Sequence, residues 1–166
     1  MNRQSLLLGT PLLGALLLGP LLAGAVLLNM AAAQQCGTPA DAKAMVAKAI
    51  ELYDATSAAE AFKVMNQGEA TGFLEGDIYI FAFSTGPSAK VVVQAADQNR
   101  VGLDVASLKD SAGKLYGEEI LKQATPDGAW VDYMRLNPST QKEEQKSSWV
   151  VLHDGYVFGC GIYKTP

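Results

Sequence analysis

The fold is decided by residues 145–163, which read QKSSWVVLHDGYVFGCGIY. Two runs rich in β-branched and aromatic residues stand on either side of Asp154-Gly155. An Asp-Gly pair between two such runs is a strong signal for a tight hairpin turn. The sequence therefore predicts two antiparallel strands, one over residues 145–153 and one over residues 156–163.

Working outward from this hairpin, three further strands are predicted at residues 77–83, 90–95 and 129–136. The polar turn that Asn137-Pro138 opens is short, so the strand before it is expected to run antiparallel to the hairpin. In the strand over residues 77–83, aromatic side chains alternate with Ile and Ala, and both faces are apolar. Both faces of that strand are therefore expected to be covered.

Two helices are predicted before the strands and one between them. Thr38-Pro39-Ala40-Asp41 begins the first, because Thr caps a helix, Pro suits its first position and an acid suits its first turn. Ser57 and Glu60 have the spacing of a capping box and begin a second, short helix. Residues 115–124 predict the third. This order predicts an α+β fold in which helices pack against one antiparallel sheet of five or six strands.

Residues 1–33 have the pattern of a secretory signal peptide. They contain one charged residue, Arg3, then an apolar stretch from Leu6 to Leu28, and they end in Ala31-Ala32-Ala33. The alternative is an uncleaved anchor helix, although Pro11 and Pro20 make a continuous helix poor. Cleavage would leave a single exported domain, residues 34–166, in the periplasm or the medium.

Composition and motifs exclude several function classes. The 166 residues carry a formal charge of -4, which argues against a nucleic-acid partner. The single His excludes metal motifs that need two, and neither a phosphate-binding loop nor a nucleophile elbow is present. A carboxylate pair such as Asp104 and Asp110 could indicate a hydrolase, but both residues fall in a predicted loop, where acidic side chains are usually solvated. We therefore expect no enzyme, no metal and no cofactor.

Cys36 and Cys160 are the only cysteines in the sequence. In an exported protein two cysteines most often pair, so a disulfide is predicted between them. Closing so long a loop would contribute about 4–5 kcal/mol in the loop-entropy treatment. The competing interpretation is a Cys160 nucleophile with His153 as its base.

Basic and aromatic side chains on the predicted strands indicate a binding site. Arg135 shares one face of its strand with Tyr133, while Trp130 lies on the other face, and Lys146 comes from the next strand. A guanidinium or an ammonium beside aromatic walls suits a small carboxylate, because charge-assisted bonds fix the anion and apolar walls hold its short tail. The alternative is that Arg135 and Lys146 simply point to water.

A series of short motifs resembles the single Cache domain, the extracytoplasmic sensor module of bacterial chemoreceptors and sensor kinases. The resemblance covers about residues 36–164. No single motif is specific, but the order and the spacing of the motifs together are specific. The motifs are Gly76-Asp77-Ile78-Tyr79-Ile80-Phe81, Gly102, Leu108-Lys109-Asp110, Gly113-Lys114, Gly128-Ala129-Trp130-Val131-Asp132-Tyr133, Asn137-Pro138, Lys146-Ser147-Ser148 and Gly159-Cys160-Gly161-Ile162-Tyr163.

This resemblance implies a PAS-like fold with a long N-terminal helix behind the sheet and a ligand held on the other side. It implies small organic acids, such as acetate, propionate, pyruvate or lactate, as ligands. Asp110 is expected to fix a loop. With Arg135, which departs from the usual aromatic residue at its position, the expected ligand-binding residues are Tyr79, Phe81, Trp130, Tyr133, Arg135 and Lys146.

A second departure is Gln94, together with Asp97-Gln98, where the family often has a His and an Asn-Pro. The function expected is sensing or binding of a small carboxylate without catalysis, with the signal passed to a partner such as a membrane sensor protein. The sequence leaves the oligomeric state open, and a homodimer is one of the alternatives. The alternative is an accessory or structural protein of the cell envelope whose pocket is closed.

Overall fold

The computed structural model describes residues 36–164, which form three α-helices and six strands. The helices are α1 (Pro39–Ala55), α2 (Ala58–Met65) and α3 (Tyr116–Gln123), and the strands are β1 (Leu74–Glu75), β2 (Ile78–Ser84), β3 (Val91–Gln94), β4 (Ala129–Leu136), β5 (Glu143–His153) and β6 (Tyr156–Tyr163). Three 3₁₀ turns lie between them, at Gly68–Thr71, Gln98–Arg100 and Val105–Ser107.

The strands form one antiparallel sheet in the order β1-β2-β6-β5-β4, and β3 pairs with the outer edge of β2. The predicted hairpin is β5–β6, in which Lys146 lies opposite Tyr163 and Trp149 opposite Cys160. On its other edge β5 pairs with β4, where Lys146 lies opposite Tyr133. The predicted α+β fold, with a six-stranded antiparallel sheet and a long N-terminal helix, is confirmed.

The N-terminal helix α1 begins where the sequence predicts. Thr38 accepts a hydrogen bond from the Asp41 backbone N–H, and the Asp41 carboxylate accepts one from the Thr38 N–H, so the cap is reciprocal. One face of α1 is buried against the sheet through Ala42, Met45, Val46 and Ala49. It covers the sheet face that carries Ile80, Ala82, Phe158 and Cys160.

The opposite face of the sheet is covered by the chain between β3 and β4. Tyr116 and Ile120 of α3 pack there with Val105 and Leu108 from the preceding turns. They cover the other set of strand side chains, which includes Phe81, Phe83, Val131, Val150 and Val157. Because side chains alternate along a strand, β2, β4, β5 and β6 each contribute to both apolar clusters.

The predicted disulfide is wrong in this structure, because both cysteines are free. Cys160 is fully buried beneath α1, and its Sγ lies 3.5 Å from the Sδ of Met45, whereas Cys36 is exposed ahead of the helix. The alternative Cys160–His153 pair is not formed either. His153 contacts the Asp54 carboxylate at 2.7 Å, and burial raises the pKa of Cys160 to about 12.

The predicted signal peptide, residues 1–33, lies outside the described residues. Among the helices of residues 36–164, none combines the length and the apolar character that crossing a bilayer requires.

Candidate functional site

Two glycines of β6 create the space on which the candidate site is built. Strand alternation assigns the positions of Gly159 and Gly161 to the sheet face away from α1, opposite to the face of Cys160. A Cβ at Gly159 would come within 2.2 Å of the Phe81 ring, and a Cβ at Gly161 within 2.3 Å of the Lys146 Cε. Phe81 and Lys146 therefore lie across β6 only because these two positions carry no side chain.

Lys146 is the central charged group of this face. It is 0 % exposed, and its Nζ has no hydrogen-bond partner. The ammonium instead lies 3.4 Å from the ring centroid of Tyr79 and 4.9 Å from that of Tyr163. Such cation–π contacts offset part of the cost of burying a charge, but they leave the N–H donors of Lys146 unused.

Four tyrosines cluster on this side of the sheet, and the rings of two of them contact the lysine. The Tyr79 and Tyr163 hydroxyls are 3.4 Å apart, and the Tyr133 hydroxyl lies 2.8 Å from Ser148 Oγ. The Tyr116 ring stacks on the Tyr133 ring at 4.5 Å with an interplanar angle of 6°. We call Lys146 and these four tyrosines (Tyr79, Tyr116, Tyr133 and Tyr163) the tyrosine site.

Two arginines add positive charge to the tyrosine site. Arg100, in a 3₁₀ turn, donates from Nη2 to the Tyr116 hydroxyl at 2.8 Å. Arg135 is half-buried on the same face of β4 as Tyr133. Burial alone would lower the pKa of Arg135, but the nearby hydroxyls of Tyr79 and Tyr116 raise it. Among the described residues, none of the four ion pairs includes Lys146, Arg100 or Arg135.

The pKa values of the tyrosines locate the positive potential. Burial would raise the pKa of Tyr79, but Lys146 and Arg135 outweigh it and lower that pKa to about 8. Burial raises the pKa of Tyr133 and of Tyr163 well above the usual range, and the nearness of Tyr79 adds to both. Negative charge is therefore favoured beside Tyr79 and Lys146.

Five of the six predicted ligand-binding residues share this face of the sheet, and the sixth does not. Tyr79, Tyr133 and Lys146 belong to the tyrosine site and Arg135 adjoins it, while Phe81 lies next to Tyr79 along β2 and packs against the Phe83 ring at 5.2 Å.

Trp130 lies apart from the other five expected residues. Strand alternation puts it on the α1 face, where its ring lies 5.5 Å from that of Trp149, which in turn carries the Nζ of Lys43 at 4.2 Å. Trp130 is therefore part of the packing behind the sheet, away from Lys146.

Three residues of the site were not predicted as ligand-binding residues. Tyr163 follows Gly161 by two positions, so strand alternation along β6 was a usable signal for it. Arg100 and Tyr116 come from a 3₁₀ turn and from the start of α3, and strand alternation gives no signal for residues outside strands.

Asp110 acts as the predicted loop-fixing residue. Its carboxylate accepts hydrogen bonds from the backbone N–H groups of Lys114 at 2.8 Å and Met134 at 3.1 Å. Although burial opposes it, these bonds lower the pKa of Asp110. The carboxylate thus ties the loop before α3 to β4, and it does not pair with Lys146.

A groove of about 420 Å³ lies on the other side of the domain, along α1 and the β1–β2 turn, with Met45, Lys48, Glu75 and Ile78 among its lining residues. Lys48 already donates to the backbone carbonyls of Thr71 and Gly72. This groove therefore holds no buried donor in need of a partner. Across residues 36–164, no cluster of His, Cys, Asp or Glu is suited to a metal ion.

Several solved structures resemble this chain in fold. The chain superposes on a periplasmic sensor domain of a chemotaxis protein with a TM-score of 0.61 and 22% identity, covering 76% of this chain and 94% of that one. A methyl-accepting chemotaxis protein from Vibrio parahaemolyticus gives a TM-score of 0.61 and 20% identity, covering 75% and 86%. At these identities the likeness shows the fold alone.

A third structure comes from a study of carboxylic acid recognition by a Cache chemosensory domain. It gives a TM-score of 0.55 and 16% identity, covering 74% of this chain and 86% of that one. No curated protein matches the sequence. A family model of the Cache domain matches residues 45–165, which is most of the chain. The chain belongs to the Cache domain family.

Proposed function

We propose that this protein is an extracytoplasmic sensor domain that binds a small carboxylate at the tyrosine site and carries out no catalysis. The observation that carries this proposal is Lys146, a fully buried ammonium with no hydrogen-bond partner. In this reading, a ligand carboxylate is the partner of Lys146. The tyrosine hydroxyls and Arg135 complete the anion site, and Phe81 forms an apolar wall.

The energetic argument compares burial with compensation. Burying an unpaired charge costs several kcal/mol after relaxation, and a desolvated cation–π contact returns about 2 kcal/mol. The Tyr79 contact at 3.4 Å is close enough to supply that return, and the Tyr163 contact at 4.9 Å is weaker. These contacts offset only part of the cost, so fold stability by itself does not account for a charge at this position. Its presence supports a charged ligand.

The ligand class follows from the charges around Lys146. Cations converge on this face from β4, from β5 and from the loop before α3, and none of them has an acidic partner among the described ion pairs. A cationic ligand would be repelled there, whereas a carboxylate would gain charge-assisted bonds. The carboxylic acid ligand of the third structural neighbour agrees with this choice.

Export and signalling belong to the same proposal. We infer that residues 1–33 direct the chain out of the cytoplasm and are removed, leaving the domain in the periplasm. Occupancy of the site would then be read by a partner such as a membrane sensor protein. Sequencing the N-terminus of protein recovered from the periplasmic fraction tests cleavage after Ala33, and an intact N-terminus would contradict it.

A second candidate function is favoured by one observation, the closed packing over Lys146. The tyrosine site leaves that residue no exposed surface, so the domain could serve as an accessory protein of the envelope that binds nothing there. In that case no short acid should change its stability. Ligand binding requires the chain between β3 and β4 to open transiently, and ligand-dependent hydrogen exchange in that segment separates the two functions.

The proposal is tested by calorimetry and thermal shift with acetate, propionate, pyruvate and lactate. At least one acid should bind the purified protein and raise its Tm, and the Lys146→Met variant should lose both effects. The matched control is Lys43→Met, a lysine over Trp149 on the opposite face of the sheet, which should bind as the wild type does. No response to any acid by the wild type, or an equal response by Lys146→Met, would refute the carboxylate site.

A further inference from the structure

A second buried polar atom on the ligand side of the sheet has no partner. Among the described residues, two buried side-chain polar atoms lack any hydrogen bond: Nζ of Lys146 and Oε1 of Gln94. Most buried polar side-chain atoms in native proteins are hydrogen-bonded, so each exception needs a reason. The first is a charged donor and the second is a neutral acceptor. A ligand with an anionic group and a separate hydrogen-bond donor would satisfy both atoms.

The sheet register places Gln94 on the same face as the tyrosine site. Gln94 lies opposite Phe81 in the β2–β3 pair, and residues directly opposite in an antiparallel pair share a face. Its side chain is buried, since the residue is only 6% exposed. Its backbone N–H is occupied by Asn66 Oδ1, which fixes the end of β3 against α2.

The sheet register and the path of Lys146 bring the two unpartnered atoms toward the same part of β2. Tyr79 is the diagonal cross-strand neighbour of Gln94, and such Cα atoms lie about 7–8 Å apart, within reach of long side chains. The Tyr79 ring carries the Lys146 ammonium at 3.4 Å. Once the chain between β3 and β4 opens, a ligand of a few heavy atoms bound to the Lys146 ammonium would therefore also lie near Gln94.

We propose that Gln94 is a specificity-determining residue that accepts a hydrogen bond from a hydroxyl group of the ligand, and that the ligand is a short hydroxycarboxylate. This inference rests on the proposed function, because it assumes that Lys146 holds the carboxylate. Oε1 can only accept, so the group that meets it must be a donor. An ammonium donor would be repelled by Lys146 and Arg135, and the smallest neutral donor that a short acid carries is a hydroxyl.

The test uses pairs of acids that differ in one hydroxyl group. Calorimetry on the wild-type protein should give lactate an affinity about tenfold or more above that of propionate, and glycolate the same advantage over acetate, because the unsubstituted acid leaves Gln94 unpaired. Gln94→Leu should abolish this preference and still bind propionate. Lys146→Met should lose both acids.

The outcomes separate this inference from the proposed function. If the wild type binds propionate as tightly as lactate, or prefers pyruvate to lactate, Gln94 does not read a hydroxyl, although the carboxylate site stands. A preference that survives in Gln94→Leu overturns the assignment to Gln94 in the same way. If no acid binds the wild type, the proposed function itself fails. The comparison within the wild type holds even if the Gln94 variant does not fold.

Discussion

Replacing Lys146 by Met should make the empty domain more stable and unable to respond to ligand. Met has a similar length and no charge, so it can follow the same path over Gly161 without an unpaired ammonium at its end. A lysine that merely supported the fold would give the opposite result, because its removal would cost stability. The sign of the change in the free energy of unfolding therefore separates the two roles.

The magnitude follows from the contacts of the ammonium. Burial of the charge costs several kcal/mol, the contact with the Tyr79 ring at 3.4 Å returns about 2 kcal/mol, and the contact with the Tyr163 ring at 4.9 Å returns less. Met loses these contacts but gains sulfur–aromatic ones of about 0.3–1.5 kcal/mol. The net expectation is that Lys146→Met raises the free energy of unfolding by about 1–2 kcal/mol, which is about 3–8 °C in Tm for a domain of this size.

The assay is denaturant and thermal unfolding of both proteins, with and without the best-binding acid. Lys43→Met is the control, since the exposed contact of Lys43 with Trp149 is worth about 0.5–1 kcal/mol, and its loss should lower stability slightly. A fall of 2 kcal/mol or more in the empty Lys146→Met protein would refute the reasoning. It would mean that the ammonium stabilises the fold by itself.

Three further predictions concern the space, the charge and the thiols of the domain. Gly161→Ala should lower the free energy of unfolding by about 1–3 kcal/mol and weaken acid binding in calorimetry, because the added Cβ would lie 2.3 Å from the Lys146 Cε. Wild-type affinity in this variant would show that the Lys146 side chain can take another path. Because the folded pKa of Tyr79, about 8, is below its unfolded value near 10, the stability of the wild type relative to Tyr79→Phe should rise between about pH 8 and pH 10 and show no such gain below pH 8. A phenolate absorbance titrating near pH 8 should be present in the wild type alone, and its persistence in Tyr79→Phe would assign it elsewhere. A thiol reagent should label only Cys36 in the native protein and both cysteines after unfolding without reductant, because Cys160 is fully buried with a pKa of about 12. If the unfolded protein has no free thiol, the two cysteines form a disulfide after all.

Strand periodicity explains how much of the fold was predictable. The strands over residues 129–136 and 156–163 match β4 and β6 end to end, because alternation and turn residues mark both ends. The strand predicted from residue 145 begins two residues earlier, at Glu143, since charged residues at the start of a strand resemble the turn before it. The strand β1 was missed because two residues are too few to show a period.

The candidate site was predictable only where strands supply it. Alternation along β4 separates Arg135 from Trp130, and the placement of Trp130 at the ligand came from the family resemblance against that alternation. Arg100 reaches Tyr116 through the path of a loop, which residue spacing does not encode. The pairing of Cys36 with Cys160 failed because a rule about exported proteins says nothing about which face of a strand a thiol occupies.

The most direct measurement is a crystal structure of the protein saturated with the acid that binds most tightly. The carboxylate should lie within hydrogen-bond distance of the Lys146 Nζ, with the chain between β3 and β4 closed above it. An acid bound in the groove beside Lys48, or a Lys146 ammonium still without a partner in the saturated protein, would contradict the carboxylate site.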